Sequence, residues 1–391
     1  MHNFTFRLPT RLVFGRDEEN NIGEYIKPYA SKILLHYGGG SIKRSGLYDR
    51  VTASLRAAGI DFAELGGVVP NPRVSLVREG IALCRREGAQ LVLAVGGGSA
   101  IDSAKAIAMG ALYDGDVWEL YASGEETGKA LPVAAILTIP AAGSESSKVS
   151  VISNEETQRK IGHHDEALRP VLSVINPALF TTLPREQIAY GVADMMSHIF
   201  ERYFTLTERT DVTDGMCEGV LRAIIKNAPK VCDNPGDYDA WAEIGWAGTL
   251  AHNDLLGRGR DEDWACHGLE HEMSAIYDVA HGAGLAVVTP FWMDYMRREH
   301  PAMFLQFAVN VMGVAPDRDT EAVITEGIER LRTLFRRIGL PVTLTDLGIG
   351  PNRLEEMAKK VTGEWFGRAK PKGNFSRLDW QGVLEIFRAA L

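Results

Sequence analysis

A chain of 391 residues exceeds one ordinary hydrophobic core, so two domains, or one large one, are expected. Apolar residues at 45% and charged residues at 24% fit a folded globular protein and argue against disorder. A net charge of −9 argues against nucleic acid or an anionic membrane surface as the main partner, while leaving room for local basic pockets that take a phosphate-bearing ligand.

The opening stretch "MHNFTFRLPTRLVFG" has no apolar core of signal-peptide length, and no run approaches the roughly 18 apolar residues of a membrane span, so a cytoplasmic protein is expected. "KILLHY" (32–37) predicts a strand, and "LYDRVTASLRAAG" after it has helical spacing ending at Gly59. "DFAEL" predicts a second strand and "PNPRVSLVREGIALCRREG" a turn followed by a helix closed by Gly88. "QLVLAV" is a buried strand, Gly96 to Gly98 a turn, "AIDSAKAIAMGAL" a helix and "PVAAILTIP" another buried strand. "VSVISN" and "QRKIGHH" suggest a more polar hairpin, and "PVLSVINP" returns to a strand. Near-continuous apolar strands separated by helices indicate a mostly parallel sheet covered on both faces. From about Leu183 helical patterns take over: "PREQIAYGVADMMSHIFERYF", "TDGMCEGVLRAIIKNAPKV", "AWAEIGWAGTLAHNDLL" and "DTEAVITEGIERLRTLFRRIG". The expected division is therefore an α/β nucleotide-binding domain over 1–182 and an all-helical domain over 183–391.

Two glycine turns follow strands directly. In "AVGGGSAIDSAK" three glycines let backbone N–H groups approach a phosphate, the helix N-terminus adds partial positive charge, and Ser99 and Asp102 stand close behind. In "LHYGGGSIKRSG", Gly38, Gly39, Gly40 and Ser41 occupy the strand end where NAD-selective sites usually carry an acid, and Lys43 and Arg44 follow. On charge alone this turn favours NADP(H), with NAD(H) possible. Neither turn is G-x-G-x-x-G, and a tight turn without any ligand is the bland alternative.

Histidine is scarce, ten in the chain, yet "HGLEHEMSAIYDVAHGAG" holds His267, His271 and His281. Positions four apart share a helix face, as His267 and His271 do, and as Asp194 and His198 do in "GVADMMSHIFERYF". Two helices presenting such pairs inward would meet at one ion, and a carboxylate with imidazoles suits iron or zinc better than calcium or magnesium. Asp278 reads as a cap for a new helix before His281. Spacing alone leaves open which of the three histidines bind. Cys84, Cys217, Cys232 and Cys266 form no C-x-x-C pair and read as reduced buried thiols, with Cys266 a remote additional ligand beside His267.

"VINPALFTTLPREQIAYGVADMMSHIFE" and "HGLEHEMSAIYDVAHGAGLAVVTP" resemble the two signatures of the iron-containing alcohol dehydrogenases, and "GGGSAIDSAK" and "TIPAAGSESS" are similar to that family too. Within it the chain is most similar to NADPH-dependent aldehyde reductases and butanol dehydrogenases, which share "GGGSIK". The resemblance implies hydride transfer between a nicotinamide and an alcohol or aldehyde in a cleft between the domains. It implies a divalent metal, Fe2+ or Zn2+ with Ni2+, Mn2+ and Co2+ also possible, on Asp194, His198, His267 and His281, and it puts His271 beside nicotinamide and substrate as a proton relay. It implies Gly97, Gly98 and Ser99 at the pyrophosphate and Asp102, Thr138 and Ser147 along the cofactor. Lys160 is implied on the ribose or phosphate side, Asn71 near the adenosine and Ser41 near a 2′-phosphate. A homodimer is implied as well.

Trp246, Phe291 and Trp292 point weakly to short or medium aliphatic substrates. Three other readings compete. "HGLEH" is an H-x-x-E-H string in which Glu270 would be the general base of a zinc peptidase, but that leaves both glycine turns and the Asp194/His198 pair unexplained. A glycerol or polyol dehydrogenase, or a lyase-like relative, keeps the fold and changes the substrate. A catalytically dead nucleotide-binding module would not keep four ligands.

Overall fold

A computed structural model describes residues 1–317 and 319–391. The chain divides into two compact units, Arg7–Thr182 and Leu183–Leu391 together with Met1–Phe6. The first six residues, placed by sequence with the α/β domain, thus belong to the helical unit, where the His2 amide donates to the Gly259 carbonyl at 2.8 Å.

The α/β unit contains strands β1 (Arg11–Phe14), β2 (Lys32–Gly38), β3 (Asp61–Val68), β4 (Leu91–Gly96), β5 (Val133–Leu137), β6 (Val149–Asn154), β7 (Arg159–His164) and β8 (Leu172–Ile175). Its helices are α1 (Ile22–Ile26), α2 (Ser41–Arg44), α3 (Leu47–Ala57), α4 (Val74–Glu87), α5 (Gly98–Ala111) and α6 (Val117–Ser123). Six strands form one parallel sheet in the order β1-β8-β5-β4-β2-β3, and β6 with β7 make a separate antiparallel hairpin. Every residue of β4, β5 and β8 is buried, which is why these segments read as unbroken apolar runs. Strand β1 is not apparent from sequence patterning. It is a four-residue edge strand paired only with β8 and exposed at both ends, so it needs no apolar run.

The topology fixes where a ligand belongs. From β2 the chain moves to β3 at one edge, then crosses back to β4 on the other side of β2 and continues outward through β5 to β8. Order therefore reverses between β2 and β4, and the crevice at the carboxyl ends of such neighbours is the usual ligand site of open α/β sheets. Tyr37 of β2 pairs with Val95 of β4, so the two glycine turns leave the sheet side by side at that point.

The helical unit contains α7 (Arg185–Tyr203), α8 (Asp211–Asp233), α9 (Tyr238–Ala251), α10 (Ala265–Tyr277), α11 (His281–Met296), α12 (Pro301–Gln306), α13 (Thr320–Ile338), α14 (Leu354–Val361) and α15 (Trp380–Ala389). Helices α7 and α11 are buried along most of their length. A Cβ on Gly282 would lie 2.0 Å from the Tyr190 carbonyl oxygen, so glycine there lets α11 approach the α7 backbone. Asp278 does not cap α11: it closes α10 in the left-handed region (φ 54°), and Ala280 precedes α11. Among the described residues no helix is long and apolar enough to cross a membrane.

Candidate active site

Asp194 and His198 lie one turn apart on α7, His267 is in the first turn of α10, and His281 is the first residue of α11. The Asp194 Oδ1 atom lies 3.4 Å from His198 Nδ1, 3.9 Å from His267 Nε2 and 3.6 Å from His281 Nε2. With metal–ligand bonds of about 2.0–2.2 Å, two atoms in a tetrahedral shell stand roughly 3.3–3.6 Å apart, so the His198 and His281 distances match donors around one ion and the His267 distance is a few tenths of an ångström longer. Asp194, His267 and His281 form the tight set, their ligand atoms all within 4.8 Å of one another. His198 stands outside that set, but its ring lies against that of His267 with centroids 4.6 Å apart.

Three atoms of this cluster, Asp194 Oδ1, His198 Nδ1 and His267 Nε2, are buried without a hydrogen-bond partner. Each such group costs about 1–3 kcal/mol, so together they would consume much of a domain's marginal stability unless a ligand satisfied them. Burial, with the His252, His267 and Arg202 side chains nearby, pushes His198 well below the ordinary histidine range and keeps it neutral. Burial also opposes charge on His267, yet Asp194 and Glu201 beside it more than reverse this and raise its pKa. A field that draws a proton to His267 also draws a cation. The donor set, one carboxylate and neutral imidazoles, fits a first-row divalent ion.

Two acids that the sequence reading did not assign here complete the surroundings. Glu201 Oε1 accepts from the His267 amide at 2.9 Å and lies 3.0 Å from His267 Nδ1. Glu270 Oε2 contacts His281 Nδ1, and its other oxygen accepts from Ser274. Glu201 was detectable in principle: it lies seven residues after Asp194, on the same face of α7.

Glu270 is fully buried and engaged on both oxygens. It has no access to the water that a peptidase base must activate, so the H-x-x-E-H reading fails. Glu270, His271 and His281 do form a second compact donor group. The Glu270–His281 contact, however, is hydrogen-bond close, nearer than the roughly 3.3–3.6 Å between two donors of one tetrahedral ion. His271 is partly buried, its ring 5.8 Å from that of His281 and 6.5 Å from that of His267. Burial raises Cys266 well above the ordinary thiol range, and among the described residues it belongs to neither compact donor group.

Trp292, read as a substrate neighbour, is instead 1% exposed in an aromatic core with Phe204, Phe304 and Phe375, its indole N–H donating to Ser376. Phe291 lies under Arg332, and Trp246 is largely exposed on α9.

In the α/β unit, Gly38 ends β2, Gly40 is left-handed (φ +101°) and Ser41 opens α2. A Cβ on Gly39 would meet nothing within 4 Å, so no protein neighbour demands glycine there. Gly97 and Gly98 differ: a Cβ on either would meet Ile139 or Ala142 at 2.9 Å, so the fold alone requires them small. Ser99 follows in the first turn of α5, and the Thr138 amide donates to the Gly96 carbonyl at 3.0 Å, which sets it beside the same turn. Asn71, past the end of β3, is buried with φ 53°, a strained value that asparagine tolerates best after glycine. Lys160 is buried on β7 opposite Ser153.

Asp102 and Ser147 are turned inward. The Asp102 carboxylate accepts from Ser144 Oγ at 2.5 Å and from the Val151 amide at 3.0 Å, and Ser147 Oγ accepts from Lys105 at 3.3 Å. Lys43 is 3.7 Å from Glu64, which also accepts from Tyr37 and Tyr48, so the first turn carries less net positive charge than its sequence suggests. Arg44 leans over Gly40, its Nη1 3.8 Å from where a Cβ would sit.

Comparison with known proteins gives a consistent picture. The family described as iron-containing alcohol dehydrogenase matches residues 9–177, and the C-terminal domain of the Fe-containing alcohol dehydrogenase family matches 188–391. The chain is 44% identical to NADH-dependent butanol dehydrogenase A of Clostridium acetobutylicum over 99% of both chains. It is 36% identical to the NADPH-dependent aldehyde reductase YqhD of Escherichia coli, over 92% of this chain and 93% of that one. Among solved structures, NADH-dependent butanol dehydrogenase A from Thermotoga maritima superposes with a TM-score of 0.95 at 41% identity, covering 100% of this chain and 99% of that chain.

Proposed function

The chain belongs to the iron-containing alcohol dehydrogenase family, and from that premise we propose that it interconverts short or medium aliphatic aldehydes and alcohols as a metal-dependent oxidoreductase. In this reading Asp194, His198, His267 and His281 hold one divalent cation, Fe2+ or Zn2+, with Ni2+, Mn2+ and Co2+ also suited to these donors. The single observation that carries it is the convergence of three imidazole nitrogens on Asp194 Oδ1, with three of those four atoms buried and unpartnered.

When bound, the cation supplies Lewis acidity, lowering the pKa of an alcohol and polarising an aldehyde carbonyl. Hydride exchange with the substrate carbon is the nicotinamide's chemistry. The protein's part is to hold and to move protons. Asp194 contributes the charge among the donors, and His198 and His267 contribute buried rings held by packing and hydrogen bonds. His271, one turn beyond His267 and more open to solvent, carries the alcohol proton.

We assign the coenzyme to the carboxyl ends of β2, β3, β4 and β5. Gly38, Gly39, Gly40 and Ser41 would lie at the adenosine ribose and Asn71 near the adenosine, with Gly97, Gly98 and Ser99 at the pyrophosphate. Asp102, Thr138, Ser147 and Lys160 line the remainder, Asp102 and Ser147 through the loop they brace. NADP(H) is the preferred coenzyme, supported by a first turn without an acid and by Arg44 over Gly40. The Glu64–Lys43 pair keeps that preference narrow, consistent with NADH-dependence in the name of the clostridial relative. The family resemblance supports a cytoplasmic homodimer.

The test is coenzyme consumption over a panel of aliphatic aldehydes, before and after metal removal. NADPH should be oxidised faster than NADH, both only with metal restored. Undiminished turnover by chelator-stripped protein would overturn the reading.

A further inference from the structure

Glu201 and Glu270 are among the costliest side chains in the helical unit. Both are carboxylates, 2% and 0% exposed, and burying an ionised carboxylate costs several kcal/mol unless its surroundings compensate. Each is directed at one histidine of the candidate metal site. Glu201 Oε1 engages both the amide and the Nδ1 of His267, and Glu270 Oε2 engages Nδ1 of His281. In both rings the far nitrogen, Nε2, then faces Asp194. The chain keeps room for this: a Cβ on Gly284 would lie 2.8 Å from Glu270 Cγ, so that glycine of "HGAG" makes the slot in which Glu270 lies. The Ser274 hydroxyl fixes the other Glu270 oxygen.

We infer that Glu201 and Glu270 are positioning residues for the metal: each accepts a hydrogen bond from the Nδ1–H of its histidine, fixing the tautomer that turns Nε2 to the ion and adding negative charge behind it. The inference rests on the metal reading above and extends it. A carboxylate behind an imidazole locks the ring and raises the basicity of the ligating nitrogen, and its loss typically weakens metal binding by roughly 10–100-fold. His198 is held differently, by ring packing against His252 and His267 at 4.3 and 4.6 Å, so only two of the three rings are charge-backed. The neighbouring charges do not cancel the pair. The Arg202 guanidinium lies 3.5 Å from Glu262 and donates to the His198 carbonyl and His252, while the Lys372 ammonium and the Asp263 carboxylate act on Glu201 with opposite signs.

The experiment is titration of chelator-stripped protein with Co2+, followed by calorimetry and visible absorption, on the unsubstituted chain and on Glu201→Gln and Glu270→Gln. Glutamine keeps an acceptor oxygen and removes the charge. One Co2+ per chain should bind in all three, with affinity about 10–100-fold weaker and the cobalt bands displaced in each variant, while the stripped proteins melt alike. Unsubstituted affinity and bands in both variants would overturn this inference and leave the metal site standing. Failure of the unsubstituted chain to bind Co2+ stoichiometrically would overturn the metal reading and this inference with it.

Should a variant not fold, proton NMR of the Co2+-loaded unsubstituted chain decides. Two metal-shifted imidazole N–H signals should resist exchange in D2O, and exchange of all of them at the solvent rate would overturn the inference.

Discussion

Lys105 and Asp194 are both buried charged side chains, one in each unit, and their surroundings differ. The Lys105 ammonium donates to Ser144 Oγ, the Ser147 carbonyl and hydroxyl, and the Val149 carbonyl at 2.8–3.3 Å, while Asp102 closes the network from the other side of Ser144. Asp194 Oδ1 has three nitrogens at 3.4–3.9 Å and a hydrogen bond from none. A closed polar network secures its own fold, here the loop after β5 beside the glycine turns. An open one holds its groups apart at a cost that only a bound cation repays. The two units thus contribute differently: one supplies a finished platform, the other an incomplete coordination shell.

The largest expected effect comes from breaking the incomplete side. Asp194→Ala removes the only carboxylate among the donors; metal content should fall to background and aldehyde reduction by at least about 10³-fold, matching several kcal/mol of lost charge stabilisation. Elemental analysis beside an NADPH assay reads both. His271→Ala should separate the two quantities: turnover falls roughly 10²–10⁴-fold while one metal per chain remains, and loss of the metal would make His271 a ligand.

On the platform side the expected effects are smaller. His36 in β2 sits between the Leu65 carbonyl and Ser103 Oγ, and burial lowers its pKa to about 4 although the Leu65 bond opposes this. Between that value and the ordinary 6.5 the unfolded chain binds the extra proton, so this contribution is complete above pH 6.5 and is lost as pH falls towards 4. It amounts to about 3 kcal/mol. Urea midpoints of stripped protein at neutral and acidic pH should show a shallower acid loss in His36→Gln; an unchanged slope would contradict the assignment. Smallest is Gly39→Asp: the space beside Gly39 is open, so the fold should tolerate it, while KM for NADPH rises about tenfold and that for NADH much less.

The same contrast governs what could be read from sequence. The strands of the platform were legible because burial on both faces leaves unbroken apolar runs such as "LVLAV" and "VAAIL", whereas the exposed edge strand β1 leaves no such mark. The coordination shell was legible only as helical spacing, which treats His267 and His271 alike because both lie on one face of α10. What separates them is position along α10: His267, in its first turn, has Nε2 3.9 Å from Asp194 Oδ1, while His271 lies one turn further on. Glu201 was hidden among 51 acidic residues, and Glu270 stood out only as the base of the H-x-x-E-H string, since burial and not residue type marks both for the metal site. Trp292 misled for a related reason: an aromatic near the metal motifs in sequence belongs to the core in space.

The most direct measurement is anomalous diffraction at the zinc edge from crystals of zinc-loaded protein. One peak per chain is predicted about 2.0–2.2 Å from Asp194 Oδ1, His267 Nε2 and His281 Nε2, with a His198 nitrogen completing the shell. A peak among Glu270, His271 and His281, or no peak in the helical unit, would contradict the account.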